Sequence, residues 1–183
     1  MMKFLMINGS FRKANCKYVL EQVALKLGEE YVCEFVDLRD KNIKFCSGCM
    51  TCHKSNKCVY QDDMVELLEK IKESDLVVLA SPNYFGNMNA ITKNFIDRTC
   101  PFHEEKTIAS KPFAFIYLGD YKPERTLKQL SVAFDGFKFN QKISNVVEVA
   151  VQSNGVKKFA DSEDLENTIN LVVKRIKQKF NKN

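Results

Sequence analysis

Two stretches of this chain carry no charge on any successive side chain. Residues 76–80 read Leu-Val-Val-Leu-Ala, and residues 112–118 read Pro-Phe-Ala-Phe-Ile-Tyr-Leu. Neighbouring residues of a strand point to opposite faces, so a strand that is apolar throughout must be covered on both. That requirement selects a parallel sheet between two layers of helices over an antiparallel sheet with one wet face. Residues 2–7, 31–36 and 143–151 read as three more strands. Turn chemistry follows several of these runs: Asn8-Gly9-Ser10, Asp37, Ser81-Pro82-Asn83 and Gly119-Asp120.

Between the strands the apolar period changes from two to 3.6. Leu20, Val23, Ala24 and Leu27 form one helical stripe, with Gly28 as its C-cap. Asp62-Asp63 opens a helix that turns Val65, Leu68 and Ile71 inward. Met88, Ile91 and Phe95 mark a third helix. Leu127, Leu130 and Phe134 mark a fourth, which Gly136 ends. The last begins near Asp161-Ser162 and presents Leu165, Ile169, Val172, Val173, Ile176 and Phe180. Five strands alternating with five helices predict a three-layer α/β sandwich. With no repeat and no linker, residues 1–183 read as a single domain. Residues 39–61 have no periodicity, and a loop of that length calls for a functional reason.

Several function classes are excluded. No two of the seven glycines stand at i and i+2, so G-x-G-x-x-G is absent, and so is the P-loop. His53 and His103 cannot form H-E-x-x-H. The net charge of +5 sits entirely in Lys174, Arg175, Lys177, Lys179 and Lys182, which suits a helix C-terminus better than a nucleic-acid surface. No run is long enough to span a membrane, and the first residues lack the form of a signal peptide, so a cytoplasmic chain is expected.

The four cysteines Cys46, Cys49, Cys52 and Cys58 fall within thirteen residues. Four thiolates this close suit a soft metal centre. Zinc sites usually use two C-x-x-C knuckles with a longer spacer. Three cysteines in successive x2 steps with a fourth nearby resemble the wrapping of a cubane iron–sulfur cluster, although Val59 stands where ferredoxins have proline. A thiol-rich loop that binds nothing remains the third reading. Cys16, Cys33 and Cys100 read as buried or incidental, and His53 is not needed as a ligand while four thiolates suffice. His103 and Glu104-Glu105 read as a solvated loop.

In an open α/β sheet, ligands bind beyond the carboxyl ends of the strands. The segment from Asn8 to Cys16 offers a helix N-terminus, small polar side chains, Arg12 and Lys13, a set that suits a phosphate monoester. An ordinary strand–helix turn with Asn15 as N-cap is the plainer reading. Ser81-Pro82-Asn83-Tyr84-Phe85-Gly86-Asn87 places two aromatics where a planar ring could lie. Gly119-Asp120 could wall the far side of such a ring.

Asn-Gly-Ser-x-Arg-Lys after the first strand, paired with Ser-Pro-x-Tyr-Phe-Gly and its continuation Lys93, Phe95, Ile96, Asp97 and Arg98, resembles the NADPH-dependent FMN reductase group of the flavodoxin-like fold. The compact cysteine spacing resembles its iron–sulfur flavoprotein subgroup. The resemblance implies a five-stranded parallel sheet of order 2-1-3-4-5. It implies that Ser10, Arg12, Asn15 and Cys16 surround the FMN phosphate, and that Pro82, Asn83, Tyr84, Phe85, Gly86 and Asn87 line the isoalloxazine ring. It also implies a [4Fe–4S] cluster on Cys46, Cys49, Cys52 and Cys58 that exchanges electrons with FMN. NAD(P)H or a ferredoxin-like protein would be the donor, and the assembly a homodimer or higher oligomer. The chain departs from the group at Phe11, where proline is usual, and at Cys16, where Thr or Ser is usual; a thiol is the poorer donor. A cluster-free NAD(P)H-dependent FMN or quinone reductase and a non-catalytic redox carrier or sensor are the rival functions.

Overall fold

The computed structural model describes residues 1–102, 112–119, 146–152 and 163–180. Along the chain they form β1 (Met2–Asn8), α1 (Asn15–Leu27), β2 (Tyr31–Asp37), a 3-10 turn (Leu38–Asp40), α2 (Cys52–Ser55) and α3 (Asp63–Glu73). Then follow β3 (Leu76–Tyr84), β4 (Asn87–Met88), α4 (Ala90–Arg98), a second 3-10 turn (Cys100–Phe102), β5 (Phe113–Gly119), β6 (Val146–Gln152) and α5 (Glu163–Phe180). The main strands lie in the order β2-β1-β3-β5-β6 and are all parallel, with β4 paired antiparallel to the end of β3. Setting aside two-residue β4, this is the expected flavodoxin-like order. The strand order reverses between β1 and β3, so the loops leaving these two strands flank the switch point where such folds bind ligands.

Alternation along each central strand builds two cores. Phe4, Met6, Leu76, Val78, Ala114 and Ile116 face one side and pack against α1 and α5. Leu5, Ile7, Val77, Leu79, Phe115 and Tyr117 face the other, against α3 and α4. The apolar-throughout strands are therefore covered on both faces, as their sequence requires.

Four local expectations change. At the sheet edge, β2 leaves Val32 and Phe35 exposed, because no strand or helix among the described residues covers that part of it. In α3 the inward face is Met64, Leu67, Leu68 and Ile71, while Val65 is 41% exposed. The N-cap of α1 is Ala14, not Asn15, and it makes no side-chain cap. Strand β3 runs on through Ser81, Pro82 and Asn83. Proline is tolerated there for a geometric reason. Ala80 O accepts from Gly9 N at 2.8 Å on the β1 side, and pairing with β1 ends at Asn8 and Ala80. Pro82 faces that same side two residues later, where no ladder bond is needed.

Gly28 does end α1, with φ of 87°. Asp62 caps α3 by accepting from Met64 N. No helix among the described residues is long and apolar enough to cross a membrane. The fourth expected helix with Leu127, Leu130, Phe134 and Gly136, and also Asp120, His103, Glu104-Glu105, residues 143–145 and Asp161-Ser162, lie outside the described residues.

Candidate functional site

The loop between β1 and α1 is braced from beneath by its own strand. Buried Asn8 accepts from Ser10 N at 3.0 Å and donates to Asp37 Oδ1 at 2.7 Å. Lys17 reaches the other oxygen of Asp37 at 3.3 Å. Ser10 Oγ accepts from Arg12 N at 3.1 Å, and Arg39 donates to Phe11 O at 2.7 Å. Lys13 pairs with Asp40 at 3.5 Å. Arg12 is exposed and has no carboxylate partner among the described residues. Its guanidinium carbon instead lies 6.0 Å from the Tyr84 ring centre. The first-turn N–H groups of α1 receive no side-chain cap. Uncapped helix donors beside an unpaired cation fit an anion such as a phosphate monoester.

Cys16 sends its thiol the other way. It is 3% exposed and packs within the core formed by α1, α5 and the sheet. Burial pushes this thiol up to about 12, against the opposing Arg12 charge and a hydrogen bond with Ser10. It is therefore a neutral core group at ordinary pH, and what it offers the loop is its backbone N–H.

The second loop is a tight hairpin between β3 and β4. Asn83 pairs with Met88 and Tyr84 with Asn87, leaving Phe85 and Gly86 as the two turn residues. Both have positive φ, 55° and 76°. Such a turn suits glycine and strains phenylalanine. The strained residue is also a phenylalanine fully exposed to solvent. Gly119, at the end of β5, approaches so closely that a Cβ there would fall 2.4 Å from Asn83 Cβ. The structure thus brings Gly119 to the hairpin base and Arg12 to its tip.

Helix α4 connects these loops to the cysteines. At its N-terminus Asn89 Nδ2 and Thr92 Oγ1 donate to Gly9 O, at 2.6 and 3.0 Å. A Cβ on Gly9 would lie 2.2 Å from Thr92 Oγ1, so only glycine permits this docking. Farther along, Asn94 accepts from Cys46 N at 3.3 Å and donates to Ile43 O at 3.1 Å. Arg98 donates to Lys44 O at 2.6 Å and grips Asp62 with two bonds of 2.8 and 2.9 Å. The pair is buried, with side chains 1% and 3% exposed. Burial raises the Asp62 carboxyl, but hydrogen bonds from Arg98, Lys44 N and Met64 N, together with the Arg98 charge, hold it below the ordinary value. Nine helical residues rise about 13 Å, so one short helix sets the spacing between the β1–α1 loop and the cysteine loop.

Cys46, Cys49, Cys52 and Cys58 line a single cavity of about 490 Å³. Gly48 and Met50, on either side of Cys49, both adopt positive φ, 66° and 61°, and turn the chain sharply within the motif. Backbone and side-chain hydrogen bonds from Thr51, with another from Ser47, lower the Cys49 thiol, favouring the thiolate that a metal needs. Arg98 borders the cavity, and among the described residues its buried Nε has no hydrogen-bond partner. Burial lowers the Arg98 pKa, but a hydrogen bond with Asp62 and the Cys58 charge raise it overall. A buried donor on a cation beside Cys58 fits an anionic, sulfur-ligated group. The cavity size and four convergent thiols fit a [4Fe–4S] cluster on the same grounds.

Reading the sequence alone misses Asn89, Thr92 and Asn94, which act by tertiary hydrogen bonds and carry no motif. It also misses Cys100, which lines the cysteine cavity. No spacing rule could have found it, since it lies outside the compact motif.

Comparison with known proteins agrees with this layout. The NADPH-dependent FMN reductase family matches residues 2–152. An iron–sulfur flavoprotein of Archaeoglobus fulgidus is 46% identical over 101 residues, which is 54% of this chain and 49% of that protein. One from Methanocaldococcus jannaschii is 33% identical over 134 residues, 70% of this chain and 69% of its own. The chain spans about half the length of the first of these relatives. In fold, it is similar to a flavone reductase at a TM-score of 0.74 and 16% identity, covering 97% of this chain and 63% of that one. An azoreductase from Bacillus anthracis gives a TM-score of 0.70 at 16% identity, covering 95% and 100%. The two strand-end loops, the hairpin and the cysteine segment all fall inside the matched residues, and the chain belongs to the NADPH-dependent FMN reductase family.

Proposed function

We propose that this protein is an FMN-dependent oxidoreductase in which Cys46, Cys49, Cys52 and Cys58 hold a [4Fe–4S] cluster that exchanges electrons with FMN. The observation that carries this reading is helix α4, which docks the phosphate loop at one end and the cysteine loop at the other. When bound, FMN supplies hydride and single-electron chemistry and the cluster single-electron chemistry.

The chain's own residues position and tune. Arg12, Ser10 and the backbone N–H groups of Asn15 and Cys16 bind the phosphate. Pro82, Asn83, Tyr84, Phe85, Gly86, Asn87 and Gly119 shape the ring site. Arg98 offsets the negative charge of the cysteine loop. No side chain is assigned as a general acid or base. A reduced nicotinamide or a small redox protein is the electron donor. A second copy of the chain covers the exposed aromatics Phe11, Tyr84 and Phe85.

The test is the visible spectrum of anaerobically purified protein together with iron and sulfide analysis. Flavin absorbance with about four iron and four sulfide per chain is expected. Flavin without iron, even after reconstitution, would make the protein a cluster-free reductase; iron without flavin would overturn the FMN assignment. Cys49→Ala is expected to lose iron and keep FMN. Redox turnover with neither NADH nor NADPH nor a reduced ferredoxin would leave a carrier or sensor.

A further inference from the structure

The cysteine cavity contains more donors than a four-cysteine motif needs. Cys100, from the 3-10 turn Cys100–Phe102, meets Cys52 and His53 of α2, which packs against that turn. The three donor atoms all lie within 4.8 Å of one another. Among the described residues this is the group of Cys, His and acidic side chains drawn to single-ion spacing. The four motif sulfurs are not, and a cube of four irons needs its thiolates farther apart than one ion does.

We propose that Cys52, His53 and Cys100 form a mononuclear site for a soft divalent cation of the zinc class, available when the cluster is absent. Geometry supports it. Tetrahedral bonds of about 2.3 Å to sulfur and about 2.0 Å to nitrogen place S and N about 3.5 Å apart. Cys100 Sγ and His53 Nε2 stand 3.4 Å apart. Charge supports it as well, since two thiolates and a neutral imidazole neutralise a dication. Three protein donors leave one tetrahedral position open to solvent. Ligands separated by 47 residues in sequence are brought together by folding, so the folded chain presents this site preformed. Cys52 belongs to both sets, so the cation and the cluster exclude one another. Binding of zinc then withholds Cys52 from cluster assembly. The proposal does not depend on the cluster reading, and would stand if the compact motif held no iron.

Cobalt(II) titration of the full chain, freed of metal and kept reduced and anaerobic, tests this directly. One equivalent is expected to develop tetrahedral d–d absorption with a thiolate charge-transfer band, and zinc is expected to displace it. Cys100→Ser and His53→Gln should each weaken binding by at least about tenfold, the loss seen when merely a ligand's supporting partner is removed. Cys46→Ser and Cys49→Ser should leave the cobalt spectrum intact while abolishing iron incorporation. Retention of the spectrum in either Cys100→Ser or His53→Gln, or its loss in Cys46→Ser, would overturn the proposal. His53 is exposed, so His53→Gln decides the matter even if Cys100→Ser fails to fold. Cobalt binding without cluster reconstitution would remove the cluster reading alone; a cluster without a Cys100-dependent cobalt site would remove this one alone.

Discussion

In the proposed FMN site, Arg12 is the residue that would carry phosphate recognition at the loop after β1. Its neighbours Lys13 and Lys17 are engaged with Asp40 and Asp37, so their charges are already partly spent. Arg12 leans toward Tyr84 and bridges the two loops. A charge-assisted bond to phosphate contributes about 1.5–3 kcal/mol. Arg12→Ala is therefore expected to weaken FMN binding by roughly ten- to hundredfold while leaving riboflavin, which lacks the phosphate, unchanged. Quenching of flavin fluorescence measures both, and equal losses for the two ligands would remove Arg12 from the phosphate site. Cys16 teaches the opposite lesson. A thiol at a helix start is often a reactive one, yet here burial dominates and the group stays neutral to about pH 12. Whether a side chain near a helix N-terminus faces the ligand or the core depends on which way the loop turns. The residue type alone does not say.

At the scale of elements, α3 and α4 form a clamp around the start and finish of the cysteine segment. The buried Asp62–Arg98 pair joins the cap of α3 to the last turn of α4, and Lys44 enters the same network. Removing one partner of such a pair leaves an uncompensated charge, so Asp62→Ala should cost about 3–5 kcal/mol by urea unfolding. The pH dependence has a definite sign. The Asp62 pKa is lowered on folding, so its stabilisation is full above its ordinary value of 3.8 and is lost as pH falls through the lowered value. The gap between wild type and Asp62→Ala should be constant from neutral pH down to about 4 and shrink below it; a gap that is independent of pH would exclude Asp62 as the acid-labile contact. On α3 itself the face assignment has a direct check. Met64→Ala should cost about 2–5 kcal/mol, and Val65→Ala less than about 0.5. Helical spacing alone permits either residue, because both begin an apolar stripe. Packing selects Met64, which is buried in one core with Leu5, Ile7, Val77 and Leu79.

For the molecule as a whole, the sheet separates two cores that share no side chains. Leu20 on α1 and Leu67 on α3 lie on opposite faces. Their alanine variants should each destabilise by about 2–5 kcal/mol, and the double variant by their sum to within about 0.5. A large coupling in a thermal or urea cycle would mean that the two layers communicate through the sheet.

The sequence by itself determined the layers, the strand-end loops and the compact cysteine motif. Apolar runs and short spacings are local quantities, and a buried parallel strand leaves its mark on every residue it contains. Tertiary structure alone decided which side of α3 faces inward, that Cys16 turns into the core, and that Cys100 joins Cys52 and His53. It also decided that α4 ties the two loops together through Asn89, Thr92, Asn94 and Arg98. Each of these rests on contacts between segments distant along the chain. Their partners are set by how the helices pack on the sheet, a geometry that no short stretch of sequence contains.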